Sequence, residues 1–172
     1  PFSPFAPSTA YDPATKGGSM YNSADGDNLQ RDISSFTSIG TNDFTIECWV
    51  YDDGTSNGGI FRFTAGSGYF VTNSDQYAIQ AASGNYQVWS PAGTPVFTTP
   101  RVLYQWKPLA LVRESSTLKL YVNGELKGSN ADGYNLATIR YLTIGAFYAS
   151  VYRFIGYISD FRITENKAVY TA

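Results

Sequence analysis

The chain has no histidine among its 172 residues and a single cysteine, Cys48. The first absence removes the usual general base, the commonest metal ligand and every histidine-dependent catalytic triad at once. The second excludes an internal disulfide framework and any multi-cysteine metal site. Cys48 itself lies in an alternating apolar stretch, where a small buried thiol is the expected reading. Charge is also scarce: Asp, Glu, Lys and Arg make up 15% of the residues, against roughly a quarter in an ordinary globular domain. The formal net charge is −2 and no run is dense in Lys or Arg, so nucleic acid and anionic membrane are poor partner candidates. No apolar run approaches about 20 residues, so no transmembrane helix or membrane insertion is expected, and no secretory leader is visible.

Aromatic residues, by contrast, reach 16%, with 14 Tyr and 11 Phe, and there are 16 Gly. Many aromatics and turn formers with little charge favour strands and loops over helices. Four of the eight prolines (Pro1, Pro4, Pro7 and Pro13) fall in the first 13 residues. That spacing forbids helix and predicts an extended leader over residues 1–16, ahead of one domain at 17–172. A chain that starts at Pro1 and stops at Ala172 reads as a piece of a longer or processed polypeptide.

Period-two alternation then recurs along the domain. Phe44, Ile46, Cys48 and Val50 alternate with Thr45, Glu47, Trp49 and Tyr51, the pattern of a strand with one face on a core. Further strands are expected at 17–21, 60–64, 68–72, 76–81, 86–89, 106–113, 117–122, 141–147 and 154–164. Pro91, Pro95 and Pro100 mark a loop that no central strand can cross. Asn123-Gly124 is a hairpin signal, because both central residues of a type I′ turn need positive φ. Leu118, Leu120 and Val122 would face one side of that hairpin. Around a dozen short strands argue for an all-β, two-sheet antiparallel sandwich or jelly roll. A closed barrel is an alternative; a propeller would need a repeat of roughly 40–50 residues, and none is apparent.

Several strings resemble laminin G-like, concanavalin A-like jelly-roll domains. They are GSMY at 18–21 with DGDNL at 25–29, DFTIECWV at 43–50, and WKPLALVR at 106–113, where Pro108 stands in place of a frequent histidine. LKLYVNGE at 118–125, LTIG at 142–145 and FIGYISDFRI at 154–163 follow in order. The tail at 164–171 is similar to endings of this domain on tailed-phage structural proteins, particularly marine ones. The resemblance implies a lectin-like sandwich on a virion surface, with other virion proteins, copies of itself or a host glycan as partners. A purely structural decoration or assembly role is the alternative.

Carbohydrate-active enzymes share this sandwich, but their chemistry needs two flanking carboxylates. The four glutamates, Glu47, Glu114, Glu125 and Glu165, do not form the Glu-x-Asp-x-x-Glu strand of the related glucanases, so a non-catalytic module is expected. Glu47, alternating with apolar residues, should point to the outer face of its sheet. Calcium is the metal the resemblance would imply, with Asp25, Asp27 and Asn28 as one oxygen cluster and Asp132 with Asn135 as another. Sugars would stack on exposed rings. The candidates are Tyr148 and Tyr152, in the aromatic run 147–154, with Tyr86, Trp89 and Tyr134. Packing of the same rings within the sandwich, or against another protein, is the competing reading.

Overall fold

In the computed structural model, residues 18–24, 26–34, 39–55, 57–65, 76–91, 93–136, 139–148 and 151–171 are described. The leader at 1–16 and the strand expected at 68–72 lie outside them. Alternation works as expected in β3 (Phe44–Asp52): Phe44, Ile46, Cys48 and Val50 enter one continuous core. β3 is central in a six-stranded sheet ordered β1-β14-β3-β8-β9-β10. Its partners are β1 (Met20–Asn22), β8 (Trp106–Glu114), β9 (Thr117–Val122), β10 (Glu125–Ala131) and β14 (Gly156–Glu165).

The facing eight-stranded sheet runs β12-β13-β4-β5-β6-β7, with β11 on β4 and β2 on β11. These strands are β2 (Leu29–Asp32), β4 (Gly58–Thr64), β5 (Gln76–Ala82), β6 (Asn85–Trp89), β7 (Pro95–Pro100), β11 (Tyr141–Ile144), β12 (Ala146–Tyr148) and β13 (Val151–Arg153). Pairing is antiparallel except for the short β13–β4 contact at Arg153 and Gly59. Phe61, Phe63, Tyr77, Ile79, Tyr86 and Val88 turn inward from this sheet to meet Leu109, Leu111, Leu118, Leu120 and Val122 from the other. The result is the two-sheet sandwich. Among the described residues every regular element is a strand, and no helix is long and apolar enough to cross a membrane.

β2 and β10 are strands absent from the expected set, and three other stretches differ from the sequence reading. The proline-marked stretch is a strand, β7, and it lies at the sheet edge with prolines at its two ends, where a missing N–H costs least. The run at 141–147 is two strands, because Gly145 adopts φ +90° between them. The aromatic run 147–154, which lies between two expected strands, itself contains β13. The hairpin turn holds: Asn123 and Gly124 have φ of 54° and 77°.

The outer face of the six-stranded sheet is partly covered by the chain's own C-terminal segment. Thr45 Oγ1 donates to the Lys167 carbonyl at 3.0 Å and accepts from the Val169 amide at 2.9 Å. Ala168 and Tyr170 pack on Ala110, Val112 and Tyr121. Glu47 does sit on that outer face, but the tail buries it, and Tyr170 donates its hydroxyl to the carboxylate at 2.6 Å.

Candidate functional site

On the outer face of the eight-stranded sheet, strand alternation collects a different set. β4 turns Arg62 outward between the inward Phe61 and Phe63; β5 places Ala78 and Gln80 beside it, and β6 adds Gln87 and Trp89. The β12–β13 hairpin lies over this face because β4 begins with two glycines. A Cβ on Gly58 would fall 1.7 Å from the Arg153 carbonyl oxygen, and one on Gly59 2.5 Å from the Phe147 amide nitrogen. Only hydrogen atoms leave room for that backbone approach.

The hairpin brings Phe147 against Trp89 at 5.2 Å between ring centroids, Tyr148 against Phe147 at 5.1 Å, and Tyr152 against Tyr148 at 5.7 Å. Arg62 roots the cluster. Its guanidinium lies 5.4 Å from the Phe147 ring centroid and 4.8 Å from that of Tyr148, and it donates to the Phe147 carbonyl at 2.8 Å. Burial pushes its pKa down to about 10, so it stays cationic at neutral pH and the cation–π contacts persist. Phe147 is buried, Trp89 and Tyr148 are half-buried, and Tyr152 is 55% exposed. Tyr152 also holds a φ of 58°, a strained backbone for a non-glycine residue of the kind that clusters at binding sites. Among the described residues the buried indole N–H of Trp89 has no hydrogen-bond partner. The cluster therefore presents rigid rings, graded from buried to exposed, beside the cross-strand amide pair Gln80 and Gln87.

A family model described as "Concanavalin A-like lectin/glucanases superfamily" matches residues 24–168. The chain belongs to the concanavalin A-like lectin/glucanases superfamily. Among solved structures, this concanavalin A-like domain is similar to the K499G mutant of NanB sialidase from Streptococcus pneumoniae. The TM-score is 0.66 at 22% identity, over 89% of this chain and 26% of that one. It is similar to the Ruminococcus gnavus IT-sialidase CBM40 bound to α2,3-sialyllactose, with TM-score 0.62 and 14% identity, over 84% and 88% of the two chains. A third is domain 4 of AbnA, a GH43 extracellular arabinanase from Geobacillus stearothermophilus, in complex with arabinotriose. There the TM-score is 0.53 at 20% identity, over 73% of this chain and 62% of that one. The chain thus spans less than two thirds of the arabinanase domain and about a quarter of the sialidase. No curated protein matches it.

Of the five ring candidates, the concanavalin A-like fold unites three: Trp89, Tyr148 and Tyr152. Tyr86 is a correction. It is fully buried between the sheets, its hydroxyl donating to Asp52 at 2.9 Å, and that burial pushes its own ionisation upward. Tyr134 is 41% exposed but stands apart, its carbonyl accepting from Arg113 Nη1 at 2.8 Å. Arg62 was not singled out from sequence, although an arginine between two phenylalanines in a strand is a visible signal.

In the oxygen clusters, Asp27, Asn28 and Asp132 are engaged within the fold. Among the described residues no three acidic or cysteine side chains lie together as a metal cluster would require. Asp25 lies outside those residues. Asp27 Oδ2 accepts from the Ser23 amide at 3.0 Å, the Ala24 amide at 2.9 Å and the Ser23 hydroxyl at 3.2 Å. These bonds hold its pKa down and spend that oxygen on the turn. Asn28 bonds the Gly26 carbonyl. Asp132 is buried, accepting from Tyr77 at 2.6 Å and paired with Arg113 at 3.3 Å.

Proposed function

We propose that the protein is a non-catalytic glycan-recognition module whose binding face is the ring cluster on the eight-stranded sheet. The observation that carries this reading is the hairpin locked against Gly58 and Gly59, which links Tyr152, Tyr148, Phe147 and Trp89 in a chain of ring contacts beside a buried arginine. Pyranose rings stack on such faces through their C–H groups, while the half-buried Gln87 supplies an amide donor and acceptor for hydroxyls. Solved domains of similar fold bound to sialyllactose and arabinotriose support the reading. The outward positions of β4, β5 and β6 near the rings carry no carboxylate, so the pair that glycoside hydrolysis needs has no place there. We place the module on a virion surface, on the resemblance of its tail.

A glycan array probed with the whole chain tests this. Tyr152→Ala and Trp89→Ala should each weaken the glycan that binds by at least tenfold, the ratio for about 1.4 kcal/mol of lost contact. An array without signal, together with a stable self-associated species in solution, would overturn glycan recognition in favour of the assembly role.

A further inference from the structure

The half of the six-stranded sheet's outer face that lies beyond the C-terminal segment carries a second aromatic surface. Tyr21 on β1 pairs directly with Tyr157 on β14, Tyr157 with Tyr51 on β3, and Tyr51 with Trp106 on β8. Four successive strands therefore place an aromatic residue at one register, on a row about 14 Å long at the usual strand spacing. The rings interlock. Tyr157 lies 4.6 Å from Tyr21, 5.9 Å from Tyr51 and 6.1 Å from Trp106 between centroids. Tyr21 is 50% and Tyr157 38% exposed, and the other two are half-buried.

The row points away from the core, and the C-terminal segment that covers Thr45 and Glu47 reaches β3 at Glu47, four residues from Tyr51 or roughly 13 Å at strand rise. The chemistry narrows the ligand. No member of the row is charged, and the next outward row toward the tail, Ser159, Trp49 and Pro108, is uncharged too; on the other flank Asp53 accepts from the Thr55 amide and hydroxyl within its own turn, so the row itself offers an ionic partner no counter-charge. Tyrosine and tryptophan rather than Leu, Ile or Val form it, supplying large rigid contact area with a polar rim at little conformational cost.

We infer that this row is a second glycan site, taking a neutral, extended polysaccharide that lies across the four strands. It goes beyond the proposed function, since it belongs to the opposite sheet and shares no residue with the Tyr152 cluster. The domain would then hold two glycan segments on its two faces. The test is affinity electrophoresis of the whole chain in gels carrying cellulose derivatives, xylan, arabinan or mixed-linkage glucan, with Trp fluorescence titration of any polysaccharide that retards it. Retardation should fall at least tenfold in Tyr21→Ala and in Tyr157→Ala, each with a cooperative melt, and persist in Tyr152→Ala. Tyr21→Ser, on a half-exposed edge position, repeats the test where Tyr157→Ala does not fold. The inference is overturned if no polysaccharide retards the chain. It is also overturned if only Tyr152→Ala abolishes retardation, or if Tyr21→Ala instead dissolves a dimer of the unliganded protein.

Discussion

Buried charge is where individual residues stand out. Arg113, 1% exposed, donates to the carbonyls of Gly40, Asn42 and Tyr134 and pairs with Asp132. Asp52 serves Tyr86 and Arg101 in the same way. Lys107 is fully buried, donates to the Val102 carbonyl, and lies 5.3 Å from the Tyr86 ring centroid. Burial pulls its pKa from 10.5 to about 8. The folded protein therefore gives up this proton at lower pH than the unfolded chain does. Between about pH 8 and 10.5 the unfolded state binds more protons, so this group makes stability rise with pH across that window. Tyr77 and Tyr86 act oppositely above their ordinary value of 10, because the folded state retains protons that the unfolded chain loses. Chemical denaturation of the wild type and Lys107→Met as a function of pH separates the terms. The wild type should gain on the order of 3 kcal/mol relative to the variant across the window; parallel curves would show that Lys107 does not titrate there.

At the scale of elements, the β12–β13 hairpin depends on β4 having no side chain at Gly58 and Gly59. Gly59→Ala should push the hairpin off the sheet, lowering stability by about 1–3 kcal/mol as overpacking does and weakening any Tyr152-dependent glycan binding. Gly133→Ala is the control, since nothing lies within 4 Å of a Cβ there. Equal melting points for the two variants would show that the close approach is unimportant. β3, β8 and β9 were legible in the sequence because apolar and β-branched residues recur along each, although β3 and β8 are buried on both faces. β2 was not: Leu29–Asp32 is exposed throughout and held by backbone pairing to β11, so no apolar period marks it. Alternation also held information that was left unused. Tyr86 and Trp89 are three residues apart in one strand, so they point to opposite faces, and only one could join an outer site. The Tyr21–Trp106 row could not be read at all, since register across four distant segments assembles it.

For the whole molecule, the consequence is that the six-stranded sheet's outer face is divided between two uses. One half is closed by residues 166–171 over Thr45, Glu47, Ala110, Val112 and Tyr121; the other presents the Tyr21–Trp106 row, with Tyr21 and Tyr157 exposed. Deleting 166–171 should cost about 3 kcal/mol, the scale for uncovering one large side chain and its apolar bed. A pH signature should go with it. Burial raises the Glu47 pKa, so in the intact chain Glu47 contributes stability that is lost as pH rises from 4.5 through its folded value. Without the tail that carboxylate is solvated, and the loss across the acid range should flatten. Binding through Tyr21 and Tyr157 should survive the deletion, because the tail touches none of the row's strands near it. A truncated chain that melts as the full one does would mean the tail is not part of the folded unit. Loss of polysaccharide binding in a truncated chain that still melts cooperatively would mean the two halves of the face are coupled rather than divided.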